Sequence, residues 1–162
     1  MIRHGLREDG WFNAMKAGLK VLQVFIGILF LTTSAGKFLD IRGFAEVLFT
    51  YDLFPTATLL PIALTLSLVE LLLSLWIFSG IKLTYSALTA VVLNVQFTAV
   101  AVISNLRGLE IPNCGCFGVL WVRPMSWGTV VEEFLLTAVC VILFLLARRF
   151  PSERGLLIGR RA

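Results

Sequence analysis

The sequence predicts an all-α membrane protein: a bundle of four transmembrane helices, with a short interfacial helix between the first and the second. Three observations predict it. Hydrophobic residues make up 58% of the 162 and charged residues 15%, against about 45–50% and 25% in soluble domains, and the mean hydropathy is +0.90. Four apolar stretches each reach the about 17–25 residues that a helical span needs. The fourteen Lys and Arg residues are also spread unevenly over the connections, which is the asymmetry that orients membrane proteins. A net charge of +4 does not point to nucleic acid, because the basic residues gather at the chain ends and flank apolar segments.

The first span is read as Ala17 to Ala35, the second as Ala57 to Ser79, the third as Leu83 to Leu106 and the fourth as Gly128 to Leu146. Residues 1–16 form a polar cytoplasmic leader, 17–148 the membrane domain and 149–162 a basic cytoplasmic tail. The first apolar run is longer than a signal peptide's core and has no clear small-x-small cleavage site, so it is read as a true span. Pro61 falls in the first turn or so of the second span, where proline costs a helix little. Between the first two spans, Ile41, Phe44, Ala45, Leu48 and Tyr51 recur at helical spacing, which predicts a short helix at the membrane surface ended by Pro55. Gly80 to Lys82 is a tight turn, so spans two and three form an antiparallel hairpin.

Ten of the fourteen basic residues fall on one side: Arg3, Arg7, Lys16, Lys20, Lys82, Arg148, Arg149, Arg154, Arg160 and Arg161. Lys37, Arg42, Arg107 and Arg123 fall on the other. The positive-inside rule places both termini in the cytoplasm and the loop from Arg107 to Trp127 outside. That is the compartment where disulfides persist. Trp121 and Trp127 suit the membrane–water boundary.

That loop carries Cys114-Gly115-Cys116, two of only three cysteines. Neighbouring-but-one Cα atoms fall within the ~4.4–6.8 Å a disulfide allows, and a ring this small is strained and therefore reactive. It closes too short a loop to remove much unfolded-state entropy, so a purely structural bridge is weakly motivated. Arg107 and Arg123 flank the pair at a distance where a guanidinium can favour a thiolate. Cys140 reads as a small apolar residue of span four.

Glu70, inside span two, is the second outlier. An acid at bilayer depth costs ~2.5–3.5 kcal/mol on insertion scales, so it faces the bundle interior. Either it handles protons or it pairs between helices with Asn94 or Gln96 of span three, which themselves read as interhelical glue. Lys37 and Asp40 close the first span at its outer boundary and pair with one another or with the cysteine loop. Glu132 and Glu133 open span four, where negative charge complements the helix dipole. The single histidine, His4, lies in the leader, so no histidine serves a metal or a catalytic base beside the cysteines. The sequence holds no phosphate loop and no Ser/His/Asp constellation.

Read in order, Gly36-Lys37-Phe38-Leu39-Asp40, Gly43-Phe44-Ala45 through Tyr51 to Pro55, Glu70, and Cys114-Gly115-Cys116-Phe117-Gly118 resemble the MauE family of the DoxX-like four-helix membrane proteins, from about Thr33 to Leu146. The resemblance implies a role in making or delivering disulfides outside the membrane, in maturation of the disulfide-rich small subunit of methylamine dehydrogenase. The implied redox pair is Cys114 and Cys116, the outer polar element Lys37 and Asp40, and the intramembrane acid Glu70. Where the family pattern often carries Arg followed by Asn or Asp, this chain has Glu132-Glu133, which puts charge pairing there in doubt.

The reading is therefore a membrane thiol–disulfide oxidoreductase. Its partners are membrane lipid together with a thioredoxin-like extracytoplasmic protein or a disulfide-containing exported substrate. Its electrons leave to such a protein or to a quinone, with Glu70 as proton carrier in the second case, and no other cofactor is implied. Two rivals stand beside it. One is capture of a soft ion such as Cu(I) by two thiolates, for which Met125 is the lone extra ligand. The other is a non-catalytic assembly or chaperone subunit.

Overall fold

In a computed structural model, residues 3–118 and 120–150 are described, with backbone alone for 3–10 and 12. Five α-helices follow one another: α1 (Arg3–Leu39), α2 (Ile41–Thr50), α3 (Leu59–Ser79), α4 (Leu83–Leu106) and α5 (Trp127–Arg149), with a 3-10 turn at Thr56–Thr58 leading into α3. No strand occurs among the described residues. Four stretches are long and apolar enough to cross a membrane: Asn13–Leu39, Thr56–Ser79, Leu83–Leu106 and Trp127–Arg149, at 27, 24, 24 and 23 residues. At 1.5 Å per residue, each exceeds the ~30 Å hydrocarbon layer. The chain is a multi-pass membrane protein.

The boundaries differ from the sequence expectation in one consequential place. The first helix does not end at Ala35 but runs on to Leu39, so Lys37 lies inside a helix. The leader's described backbone continues this same helix from Arg3. The basic tail beyond Phe150 lies outside the described residues.

Helix α2 forms where its periodicity predicts. Asp40 caps it, its carboxylate accepting from the Gly43 amide at 2.8 Å, which satisfies an orphan donor of the first turn. Its buried side chain is Phe44. Gly80 ends α3 in the left-handed region at φ 67°, as C-terminal glycines do, and the turn to Leu83 makes α3 and α4 antiparallel. The tight packing is nevertheless elsewhere: α1 lies chiefly on α3, and α4 on α5. Small side chains permit this approach. Ser34, Ser67, Ser74, Ser86 and Ser104 are almost wholly buried, and Ser74 Oγ donates to the Gly27 carbonyl of α1 at 2.9 Å.

The apolar core occupies the half of the bundle near the α3–α4 turn, where Ile26, Leu73, Ile77, Ala87, Leu143 and Ala147 pack together with Cys140. Outward, Val21, Phe25, Leu72, Val92, Phe134 and Leu145 are exposed, as lipid-facing positions should be. The other half, toward the loop 107–126, is not filled.

Candidate functional site

The loop carrying the cysteines is docked by its own backbone. The Cys114 amide donates to the Arg123 carbonyl at 2.8 Å and the Met125 amide to the Ile111 carbonyl at 2.9 Å. Asn113 Oδ1 accepts from the Gly115 amide at 3.0 Å. Tyr51, buried at the end of α2, donates its hydroxyl to the Cys114 carbonyl at 2.6 Å, and burial, then the two thiols, raise its pKa so that it stays a donor. Arg107 in turn holds the Tyr51 carbonyl at 3.1 Å and Asp52 at 3.3 Å.

Two glycines bring the loop against α1. A Cβ on Gly36 would strike the Phe117 carbonyl, and one on Gly118 would strike the Gly36 carbonyl and the Lys37 amide. Gly118 also sits at φ +56°, a region glycine enters without steric cost. The Gly-Lys element and the Cys-Gly-Cys-Phe-Gly element thus meet backbone to backbone.

Both cysteines of the pair are free thiols, Cys114 buried and Cys116 half-buried. Their surroundings are unlike. The Cys116 thiol, hydrogen-bonded to Cys114, lowers the Cys114 pKa from 9.0 to about 6, with Arg123 adding to this against the opposing effect of burial. Cys116 is pushed the other way by that same hydrogen bond, by burial and by the Glu133 carboxylate it faces. These neighbours favour the thiolate, the nucleophilic form, at Cys114 and the thiol at Cys116.

Beneath the pair lies a cavity of about 210 Å³ between the α1–α3 and α4–α5 pairs, roofed by α2 and the loop. Lys37 and Glu70 form an ion pair in it. Lys37 Nζ also lies 5.2 Å from the Phe44 ring centroid and 5.3 Å from that of Phe97, a geometry in which ring quadrupoles attract a cation. Glu133, on α5 and 6% exposed, reaches the same space and faces Cys116.

Several expectations change here. Glu70 pairs with Lys37 of α1, not with Asn94 or Gln96. Lys37 turns inward to Glu70 and pairs neither with Asp40 nor with the loop, because α1 extends past Ala35 and carries its buried side chain onto the cavity. Asp40 serves α2 as its cap. Asn94 reaches from α4 to α5, donating to Cys140 Sγ at 3.5 Å. Gln96 lines the cavity while exposed. Of the flanking arginines, Arg123 reaches the Cys114 thiol and Arg107 braces Tyr51. Charge pairing does occur at the start of α5, between Glu132 and Arg123. Glu133 is the site residue that sequence reasoning undervalued: the helix dipole does not describe a carboxylate buried against a thiol. Among the described residues, no three His, Cys, Asp or Glu side chains gather as a metal-ligand set.

The chain is 28% identical over 123 residues to the methylamine utilization protein MauE of Paracoccus denitrificans, a match that covers 76% of this chain and 66% of that relative. No solved structure matches it. The family model described as methylamine utilisation protein MauE matches residues 15–146, and the chain belongs to the MauE family.

Proposed function

We propose that this protein is a thiol–disulfide oxidoreductase of the bacterial inner membrane, acting on exported proteins through Cys114 and Cys116. The observation that carries the reading is a pair of free thiols one residue apart in unlike surroundings, Cys114 beside Arg123 and Cys116 facing the Glu133 carboxylate. Exchange needs this division of labour. The Cys114 thiolate attacks a partner's disulfide, one partner sulfur leaves as a thiolate, and a mixed disulfide forms. Cys116 then gives its proton to Glu133 and attacks Cys114 Sγ, releasing the partner as dithiol and leaving the pair as a disulfide. Run backwards, the same steps oxidise a partner's dithiol, with both electrons passing to the pair.

The ten-to-four asymmetry of basic residues supports placing the loop outside, where a thioredoxin-like protein or a disulfide-bearing substrate meets it. The relative's name connects it with methylamine utilisation, and maturation of a disulfide-rich methylamine dehydrogenase subunit is the corresponding task proposed here. The test is mass spectrometry of the purified protein at graded thiol–disulfide poise. Cys114 and Cys116 should interconvert between dithiol and disulfide while Cys140 stays reduced. A pair locked in one state over the whole range would end the reading.

A further inference from the structure

The cavity under the dithiol is larger than exchange between sulfurs requires, and its lining is mixed in an informative way. Phe30, Leu66, Phe97 and Val100 give it apolar walls. Within them, Glu70 Oε2 is buried without a hydrogen-bond partner, its other oxygen being taken by Lys37. A buried polar atom left unpaired is costly, and such groups in native structures call for an explanation. A lipid acyl chain in this space would leave the oxygen unpaired. A flat molecule with an apolar body and oxygens at its edge would engage both the carboxylate and the Lys37 ammonium. Leu53 and Phe54 line the cavity while 41% and 46% exposed, giving it an apolar mouth through which a long tail can leave.

We propose that the cavity between the α1–α3 and α4–α5 pairs binds the ring of an isoprenoid quinone, which takes the two electrons of the Cys114–Cys116 dithiol. The inference rests on the thiol–disulfide reading above and gives it a direction, toward oxidation of exported proteins. In the step, the two sulfurs join in an S–S bond and two electrons pass to the quinone, whose two carbonyl oxygens become hydroxyls. Two protons balance it: the one from Cys116 leaves by Glu133, and the one Cys114 had already shed returns from solvent. Glu70, with its free oxygen on the cavity, accepts a hydrogen bond from the quinol hydroxyl, and Lys37 donates to the quinone carbonyl.

The test mixes the reduced full-length protein in detergent, without oxygen, with decylubiquinone, and in parallel with oxidised glutathione. The expected result is one quinol per Cys114–Cys116 disulfide, at a rate that saturates with quinone. In Ala101→Leu, which narrows the cavity from α4, the ratio of the quinone rate to the glutathione rate should fall at least tenfold. Exchange with glutathione but no quinol, a rate rising linearly without saturation, or an unchanged ratio in Ala101→Leu would each overturn the quinone site and leave thiol exchange standing. Failure of both oxidants to close the pair would remove the thiol–disulfide reading itself, and the quinone site with it.

Discussion

Lys37 of α1 and Glu70 of α3 form an ion pair whose side chains are 4% and 1% exposed, which ties two closely packed helices together beneath the cysteine loop. Removing one partner leaves the other charge buried and uncompensated, at a cost of about 3–5 kcal/mol, whereas replacing both by apolar residues of similar volume removes the penalty. Lys37→Met and Glu70→Leu should therefore each lower the thermal unfolding temperature in detergent, and the double variant should regain more than half of the loss. A double variant as unstable as the sum of the singles would show that the two residues do not act as a pair.

The Cys114 pKa of about 6 fixes a pH dependence. Above that value the sulfur is a thiolate and attacks; as pH falls through it the thiolate is protonated and exchange is lost. Thiolate absorbance of the reduced protein should show one step with a midpoint of about 6, well below the 9.0 of an ordinary thiol. Cys116→Ala removes the largest stabilising hydrogen bond and should move the midpoint upward, and Arg123→Gln should move it the same way by less. A midpoint unmoved by both would mean that neither neighbour sets the ionisation.

Gly36 and Gly118 should prove intolerant of even a methyl group. Gly118→Ala meets both the clash with α1 and a left-handed backbone that costs an L residue about 1–2 kcal/mol; Gly36→Ala meets the clash alone. Both variants should keep their helical circular dichroism yet lose at least tenfold in glutathione exchange, as the loop lifts from α1. Full exchange in Gly118→Ala would show that docking against Gly36 does not matter to the thiols.

What the sequence revealed, and what it hid, follows from the range of the forces involved. The four spans and α2 are local matters, legible from apolar runs and from the recurrence of Phe44, Leu48 and Tyr51 along one helix face. The cysteine pair is legible because only Gly115 separates the two thiols. Lys37 reads as a boundary residue because a lysine ordinarily marks the end of a span, and nothing near it in sequence announces a partner 33 positions away. Glu133 reads from sequence only as a helix-dipole partner for a similar reason, as its thiol neighbour sits on a loop without periodicity. One signal was there: Thr129, Glu133, Leu136 and Cys140 follow i, i+4, i+7 spacing, the inner stripe of α5. Glu132, about 100° around the helix, turns out toward Arg123.

Topology can be tested with single reporter cysteines in a background lacking Cys114, Cys116 and Cys140. Glu110→Cys on the loop should be labelled by a membrane-impermeant maleimide in intact cells, and Ile81→Cys in the α3–α4 turn only after lysis. The opposite pattern would invert the orientation drawn from the basic residues.

Glu133 is assigned the resolving step, and this sets it apart from a merely structural carboxylate. Cys116 attacks Cys114 Sγ only as a thiolate, and its surroundings hold it protonated, so a base must take the proton as the new bond forms. Glutamine keeps the size and hydrogen bonding of Glu133 and removes the base. In Glu133→Gln the first attack, by Cys114, should proceed at nearly the parent rate, while the mixed disulfide with glutathione should persist at least tenfold longer. Raising the pH should shorten its lifetime, because hydroxide then does the work of the carboxylate. Alkylation-trapped samples resolved by mass spectrometry at successive times read both steps at once. If the mixed disulfide decays as fast in Glu133→Gln as in the parent, the carboxylate is not the base, and its burial against Cys116 serves packing alone.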